Sequence, residues 1–159
     1  FYGWRHSNDM RFSLRCGLGD KFFICDNMAF HIESEIAGAK HTENIHSTFS
    51  WRLDEMNRTL LAKGDSLHER NDKYRRTTIG GKTSDHLIME AVRQRALPKT
   101  KATAVDDEFR KPSYNYGLGG NTILDLKHAF THINKGSFYG DQIRRSQAMH
   151  QVFDNYLGA

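Results

Sequence analysis

The chain has 159 residues, of which 38% are hydrophobic and 26% charged, and this length and composition predict a single folded domain. Its 23 lysines and arginines against 19 aspartates and glutamates give a formal net charge of +4, which permits nucleic-acid binding but is also common in proteins that bind none. The sequence has no apolar run of about 18 residues, which excludes a membrane-spanning helix within it. Its two cysteines exclude a disulfide framework and are expected to be free thiols in a reducing cytosol.

The N-terminal part of the chain is predicted to be β-rich. Apolar and polar side chains alternate from Met10 to Cys16, which is the period of a half-buried strand. Residues 17–20 (Gly-Leu-Gly-Asp) have the composition of a turn, and a short apolar run follows at 21–25. The sequence therefore predicts an antiparallel β-hairpin from about residue 10 to residue 27.

From about Thr42 the hydrophobic period becomes that of helices. Leu53, Leu60 and Leu67 recur every seven residues, which predicts one long helix or two helices broken near Gly64. This leucine seam could join two copies of the chain as a homodimer, or it could pack within one chain. We favour packing within the chain, because the second apolar position of the heptad is kept only in the first half of the segment.

Further helices are predicted in the remainder of the chain, from their apolar spacing and their start and stop signals. They cover residues 84–95, with Ser84 as the N-cap, then about 102–109, a helix from 123 that ends at Gly136, and the region from about 141 onwards. The helix from 123 is predicted to bury one stripe, which consists of Ile123, Leu126, Ala129, Phe130 and Ile133. Strands followed by helices are typical of the α+β class. We therefore predict an α+β fold, an N-terminal antiparallel β-hairpin or meander in residues 1–41 followed by helices in residues 42–159, as a single domain 1–159. Because Phe1 falls within a predicted strand, we expect the chain to be the C-terminal part of a longer protein.

Two motifs suggest ligand chemistry, but neither is complete. The Gly80-Gly81-Lys82-Thr83 segment looks like the end of a phosphate-binding loop, which would need a glycine where Arg76 stands and a strand before it, so we predict a glycine-rich hinge. His128 and His132 lie one helical turn apart, a spacing that can bind zinc. Because no third ligand can be named, we predict two solvated histidines, no metal site and no cofactor.

A polar cluster is predicted at one end of the hairpin. His6, Asp9 and His41 could form an acid–base set, which would suit a metal-dependent hydrolase. The alternative is a structural network of Ser7, Asp9, Asn27 and His41 that satisfies turn amides. We favour the structural network, because nothing in the sequence marks a nucleophile or an oxyanion hole, and we do not predict an enzyme.

Basic residues recur on several predicted elements, in a distribution that could follow a nucleic-acid backbone. The candidates are Arg11, Arg15, Lys21, Lys40, Arg75, Arg76 and Lys82. Trp4, Tyr114 and Tyr116 could supply stacking surfaces for bases. The alternative is an ordinary solvated surface, because acidic residues are nearly as numerous as basic ones.

Three blocks near the N-terminus resemble a phage- and plasmid-borne family known as domain of unknown function 932. The blocks are His6-Ser7-Asn8-Asp9, residues 23–30 and Lys40-His41-Thr42, in which Ser7, Asp9, Cys25, Asn27, His41 and Thr42 match the family pattern, whereas His6 and Asn8 are exchanged relative to it. The segments 107–112, 124–131 and 147–154 also resemble the family, with fewer matching positions. The resemblance spans nearly the whole chain.

The resemblance implies a cytoplasmic protein carried by phages, plasmids or other mobile genetic elements, and it supplies no reaction. Together with the basic residues, it leads us to predict a non-catalytic, DNA-associated accessory protein that binds single-stranded DNA or supports its processing. The alternative is a protein-binding module, either an inhibitor of a host factor or defence system or a homodimer through the leucine seam. A metal-dependent hydrolase is the third prediction.

Overall fold

The computed structural model describes the backbone of residues 2–5, 14–24, 27–39, 45–113, 121–134 and 139–158. Side chains are described at residues 54, 57–59, 62, 65–113, 121–134 and 141–158. The described core of the protein therefore begins in the second half of the first helix.

The backbone near the N-terminus runs in three antiparallel strands, β1 (Tyr2–Arg5), β2 (Leu14–Ile24) and β3 (Asn27–Ala39), with β2 in the middle. The predicted hairpin with a turn at residues 17–20 is wrong, because β2 continues through these residues and pairs along its whole length with β3. The pairing register shifts at two places within this segment, after Cys16 and after Leu18. The glycines there accompany irregularities within a strand, which is a common role for a strand glycine.

In the described part of the chain, five helices follow the strands. They are α1 (Ile45–Arg76), α2 (Gly81–Arg93), α3 (Ala102–Arg110), α4 (Ile123–Ile133) and α5 (Tyr139–Tyr156), and a 3₁₀ turn, Lys99–Lys101, precedes α3. The prediction for α3 is confirmed within one residue at each end, and α4 begins at the predicted residue but ends at Ile133, before the predicted stop at Gly136. The 32 residues of α1 form one uninterrupted helix about 48 Å long. Of the two predicted arrangements, the single long helix is therefore correct and the break near Gly64 is wrong.

The predicted α+β class is wrong for the part of the chain that forms the described core. Every buried side chain described lies on one of the five helices or in a connection between them, and residues 45–113, 121–134 and 139–158 contain no strand apart from a single bridge between Thr78 and Thr122. The centre of this core is α4, in which all nine residues from Ile123 to Thr131 are buried. The structure therefore does not show a β-hairpin platform with helices packed on it, and we describe the core as helical.

The connection between α1 and α2 is held against the start of α4 by backbone hydrogen bonds. Ile79 N donates to Asn121 O at 2.7 Å, and Ile123 N donates to Thr77 O at 3.1 Å. Ile79 is buried, which adds an apolar anchor at the middle of the connection. The turn from α1 into α2 is thus fixed to the central helix by contacts that do not depend on any exposed side chain.

The start of α4 is stabilised by a capping box. Thr122 Oγ1 accepts a hydrogen bond from Asp125 N at 3.2 Å, and the Asp125 carboxylate accepts one from Thr122 N at 2.9 Å. This arrangement satisfies backbone donors that a helix start otherwise leaves without partners. The connection from α1 therefore rests on a well-defined helix end.

Candidate nucleic-acid interface

Several predicted site residues lie outside the described part of the chain. These are Ser7, Asp9, His41 and His6 of the polar cluster and the basic residues Arg11 and Lys40. Asn27 is the first residue of β3, and Arg15 and Lys21 lie on β2, but only their backbone is described. The structural network and the acid–base set therefore stay predictions.

The remaining basic candidates meet at the turn between α1 and α2. Lys73, Arg75 and Arg76 lie in the last turn of α1, Lys82 lies in the first turn of α2, and all four side chains are exposed. Only four residues, 77–80, separate the two helices. We call Lys73, Arg75, Arg76 and Lys82 the basic corner, and three of its members are residues that the sequence predicted for nucleic-acid contact.

The charges of the basic corner are largely uncompensated. Arg75 lies 3.9 Å from Asp72, but both side chains are well exposed, and such a pair contributes little. Lys73, Arg76 and Lys82 make no ion pair with any residue in the described part of the chain. Cations at the C-terminal end of α1 also interact favourably with the helix dipole, which helps to keep three of them in one turn.

Tyr74 anchors the same helical turn in the core. Its side chain is fully buried, its hydroxyl donates to Asp154 Oδ1 at 2.6 Å, and its ring stacks on His150 with centroids 5.8 Å apart. A perpendicular contact with Phe153 at 5.7 Å completes its surroundings on α5. Burial, reinforced by the hydrogen bond to Asp154, raises the pKa of Tyr74 far above its usual range, so the hydroxyl stays protonated.

The protons of this cluster can be assigned from its geometry. The phenol has a single hydrogen, and the short contact with the Asp154 carboxylate takes it. The imidazole Nδ1 of His150 lies 3.2 Å from the same hydroxyl oxygen and must therefore carry its own hydrogen and donate it. The Tyr74 hydroxyl thus joins two residues of α5 to the last turn of α1.

A further cation, Arg110 at the end of α3, packs against the start of α2, but this one is neutralised. Arg110 Nε donates to both carboxylate oxygens of Asp106, at 2.8 and 2.9 Å, and its Nη2 donates to Asp85 at 2.7 Å. These carboxylates, Asp106 above all, raise the pKa of Arg110. A Cβ atom added at Gly81 would lie 3.2 Å from Arg110 Nη1, so the guanidinium packs directly against the first residue of α2. Arg110 is therefore a structural residue beside the basic corner.

The glycine-rich segment before α2 forms a helix start. Gly80 is the N-cap residue, with no side-chain cap, and α2 begins at Gly81. The prediction that Ser84 caps this helix is wrong, because Ser84 is buried within the first turn and its hydroxyl donates to Gly81 O at 2.8 Å. The helix thus begins three residues before Ser84, at the point where Gly81 packs against Arg110.

A groove of about 430 Å³ lies beside the end of α3. It is lined by Ala104, Asp107, Glu108, Arg110, Lys111 and Ser113. Glu108 is buried, and its carboxylate accepts hydrogen bonds from Ser113 N at 3.0 Å and Ser113 Oγ at 2.6 Å. The carboxylate thus closes the turn that follows α3, a role that nothing in the sequence indicated.

The two histidines of α4 do not lie together on a solvated face. His128 is buried, with 2% of its surface exposed, and His132 is half-buried. The prediction of two solvated histidines is therefore wrong for His128. Among the described residues there is no group of three or more histidine, cysteine, aspartate or glutamate side chains that could hold a metal ion.

A buried lysine lies in the centre of the core, and sequence analysis missed it. Lys127 of α4 is 1% exposed, and its Nζ donates to Asn71 Oδ1 of α1 at 2.9 Å. Residue 127 lies outside the apolar stripe predicted for α4, so the spacing did not mark it as buried. Only the burial of α4 on all sides shows where this ammonium group lies.

The leucine seam is described only at its C-terminal end. Leu67 is half-buried, and the side chains of Leu53 and Leu60 lie outside the described part. At the next heptad position, Tyr74 is buried against α5 of the same chain. At this end the seam therefore packs within the chain, and a homodimer through the three leucines stays a prediction.

None of the helices in the described part of the chain is both long and apolar enough to cross a bilayer. Comparisons of the chain with protein-family models, with curated proteins and with solved structures found no match.

Proposed function

We propose that the protein binds the phosphate backbone of nucleic acid through the basic corner and has no catalytic activity of its own. The observation that carries the proposal is the set of four exposed cations around one short turn, of which Lys73, Arg76 and Lys82 have no ion-pair partner among the described residues. The resemblance to a phage- and plasmid-borne family is the reason for naming single-stranded DNA as the first ligand to test.

Phosphate contacts of this kind have a characteristic dependence on salt. Each lysine or arginine that neutralises a phosphate releases a counterion, and for single strands the logarithm of the binding constant falls by about 0.7 for each contact per tenfold increase in salt. Three or four contacts from the basic corner therefore predict a slope of about −2 to −3. Affinity from these cations should be independent of base sequence, because phosphates carry no sequence information.

The test is fluorescence anisotropy with a labelled single-stranded oligonucleotide over a range of salt concentrations. We expect binding at about 50 mM salt and a weaker salt slope, by about 0.7, in Arg76→Ala and in Lys82→Ala. The matched control is Arg95→Gly, which removes one exposed positive charge at the opposite end of α2, about 20 Å from Lys82.

Two outcomes would contradict the proposal. One is the absence of binding by the unmodified protein at about 50 mM salt, the condition at which phosphate contacts are strong. The other is an equal loss of affinity in Lys82→Ala and Arg95→Gly, because this would show a general effect of net charge and no particular role for the basic corner.

A further inference from the structure

We infer that Tyr74 and Asp154 are positioning residues for the basic corner, so that affinity for nucleic acid is coupled to the hydrogen bond between α1 and α5. This inference rests on the proposed function and goes further, because it assigns a binding role to two residues that do not contact the ligand. Neither residue was marked by the sequence as part of a site.

The first step of the argument is that the anchor and the charges share one helical turn. Tyr74 stands between Lys73 and Arg75, and Arg76 follows two residues later. The last four carbonyl groups of a helix have no donor within the helix, and helices fray at their ends. A buried side chain within that turn therefore helps to hold the cations beside it, in addition to the backbone hydrogen bond from Ile123 N to Thr77 O just after the turn.

The second step is that the Tyr74 hydroxyl provides a directional link to α5. The hydroxyl donates to Asp154 at 2.6 Å and receives the hydrogen of His150 Nδ1 at 3.2 Å, whereas the ring contacts with His150 and Phe153 are apolar. A hydrogen bond to a charged acceptor is short and geometrically specific. It therefore restrains the rotation of the last turn of α1, which carries Arg75 and Arg76.

The third step is that Lys82 is held by different contacts. The connection before α2 is tied to the start of α4 by the hydrogen bonds of Ile79 and Ile123, and Gly81 packs against Arg110. None of these contacts involves Tyr74. Removal of the Tyr74 hydroxyl should therefore weaken the contribution of Arg76 to binding and leave that of Lys82 unchanged. A fixed corner lowers the entropy cost of binding, which is how such positioning raises affinity.

The test is a pair of double-mutant cycles measured by anisotropy with the same oligonucleotide. Tyr74→Phe keeps the ring and removes only the hydroxyl. We expect its effect to be coupled to that of Arg76→Ala by about threefold or more in affinity, and to add to that of Lys82→Ala within about twofold. Additivity in both cycles would overturn the inference and leave the proposed function intact. Failure of the unmodified protein to bind would overturn both.

A second pair of variants keeps the inference decidable if Tyr74→Phe does not fold. Asp154→Asn and Asp154→Ala remove the same negative charge, but only asparagine retains an oxygen that can accept the tyrosine hydrogen. We expect the asparagine variant to bind the oligonucleotide about threefold more tightly than the alanine variant, with far-UV circular dichroism confirming that both are helical. Equal affinities of these two folded variants would overturn the inference.

Discussion

Replacement of Tyr74 by phenylalanine is expected to destabilise the helical core by about 1.5–2 kcal/mol. Phenylalanine retains the stacking on His150 and the perpendicular contact with Phe153, so no cavity is created. What is lost is a hydrogen bond to a carboxylate, which typically contributes about 1.5–3 kcal/mol. The lower part of this range applies because Asp154 is only half-buried and can recruit water in the variant.

The same hydroxyl also makes stability depend on pH in the alkaline range. Burial and the hydrogen bond to Asp154 raise the pKa of Tyr74 in the folded protein above the value of about 10 expected in the unfolded chain. Below about pH 10 both states hold the phenol proton, and the stabilisation is complete. Above about pH 10 the unfolded chain releases this proton first, so stability falls with rising pH, by up to about 1.4 kcal/mol per pH unit for one group.

Urea unfolding of the unmodified protein and of Tyr74→Phe, followed by far-UV circular dichroism, measures both effects. The difference in free energy of unfolding should be about 1.5–2 kcal/mol at about pH 8 and should shrink above about pH 10, because the variant lacks the titrating phenol. Contributions from other tyrosines and lysines cancel in this difference. A difference below about 0.5 kcal/mol at neutral pH, or one that stays constant up to about pH 11, would refute the reasoning.

Three further substitutions test the end of α2 and the centre of the core. Arg95 has a φ of 59° just after α2, where Ala96 N donates to Ala91 O. Because glycine adopts a positive φ without steric cost, Arg95→Gly should raise the free energy of unfolding by about 0.5–1 kcal/mol in the same urea assay. A decrease would contradict this prediction. Lys127→Met removes a buried charge and keeps the volume of the side chain, whereas Asn71→Ala removes an acceptor of that charge. Asn71→Ala should therefore lower the free energy of unfolding more than Lys127→Met does. The reverse order would contradict this prediction.

The bounds of α3 and the start of α4 could be predicted because their signals are local. Pro112 follows the end of α3 closely, and the helical spacing of apolar residues in α4 starts at Ile123. Signals of this kind need no knowledge of which other elements pack nearby.

The errors arise where distant contacts override local composition. Glycines at 17 and 19 suggested a turn, but pairing with β3 keeps them within a strand. Ser84 has the composition of a cap, yet the helix begins three residues earlier, where Gly81 meets Arg110. Neither outcome could be predicted from neighbours in the sequence, because β3 and Arg110 are brought there by the fold.

Only part of the candidate site could be predicted, because the site too depends on contacts between distant residues. Exposed cations such as Arg76 and Lys82 can be recognised as charges from composition alone, but their proximity depends on the turn between the two helices. The polar groups that support them, Asp154 and His150, lie about 80 residues away along the chain. No spacing rule connects residues at that separation, so the supporting contacts could be found only in three dimensions.

At Tyr74, a heptad position is used for packing within one chain. It occupies the position seven residues after Leu67, where a coiled coil would place it against a second copy, but its hydroxyl is used by Asp154 of the same chain. Opening this contact to form a longer coiled coil would leave the half-buried Asp154 carboxylate without this donor, at a cost of about 1 kcal/mol. The last turn of α1 is therefore committed to the core, and its outward side remains available to carry Lys73, Arg75 and Arg76.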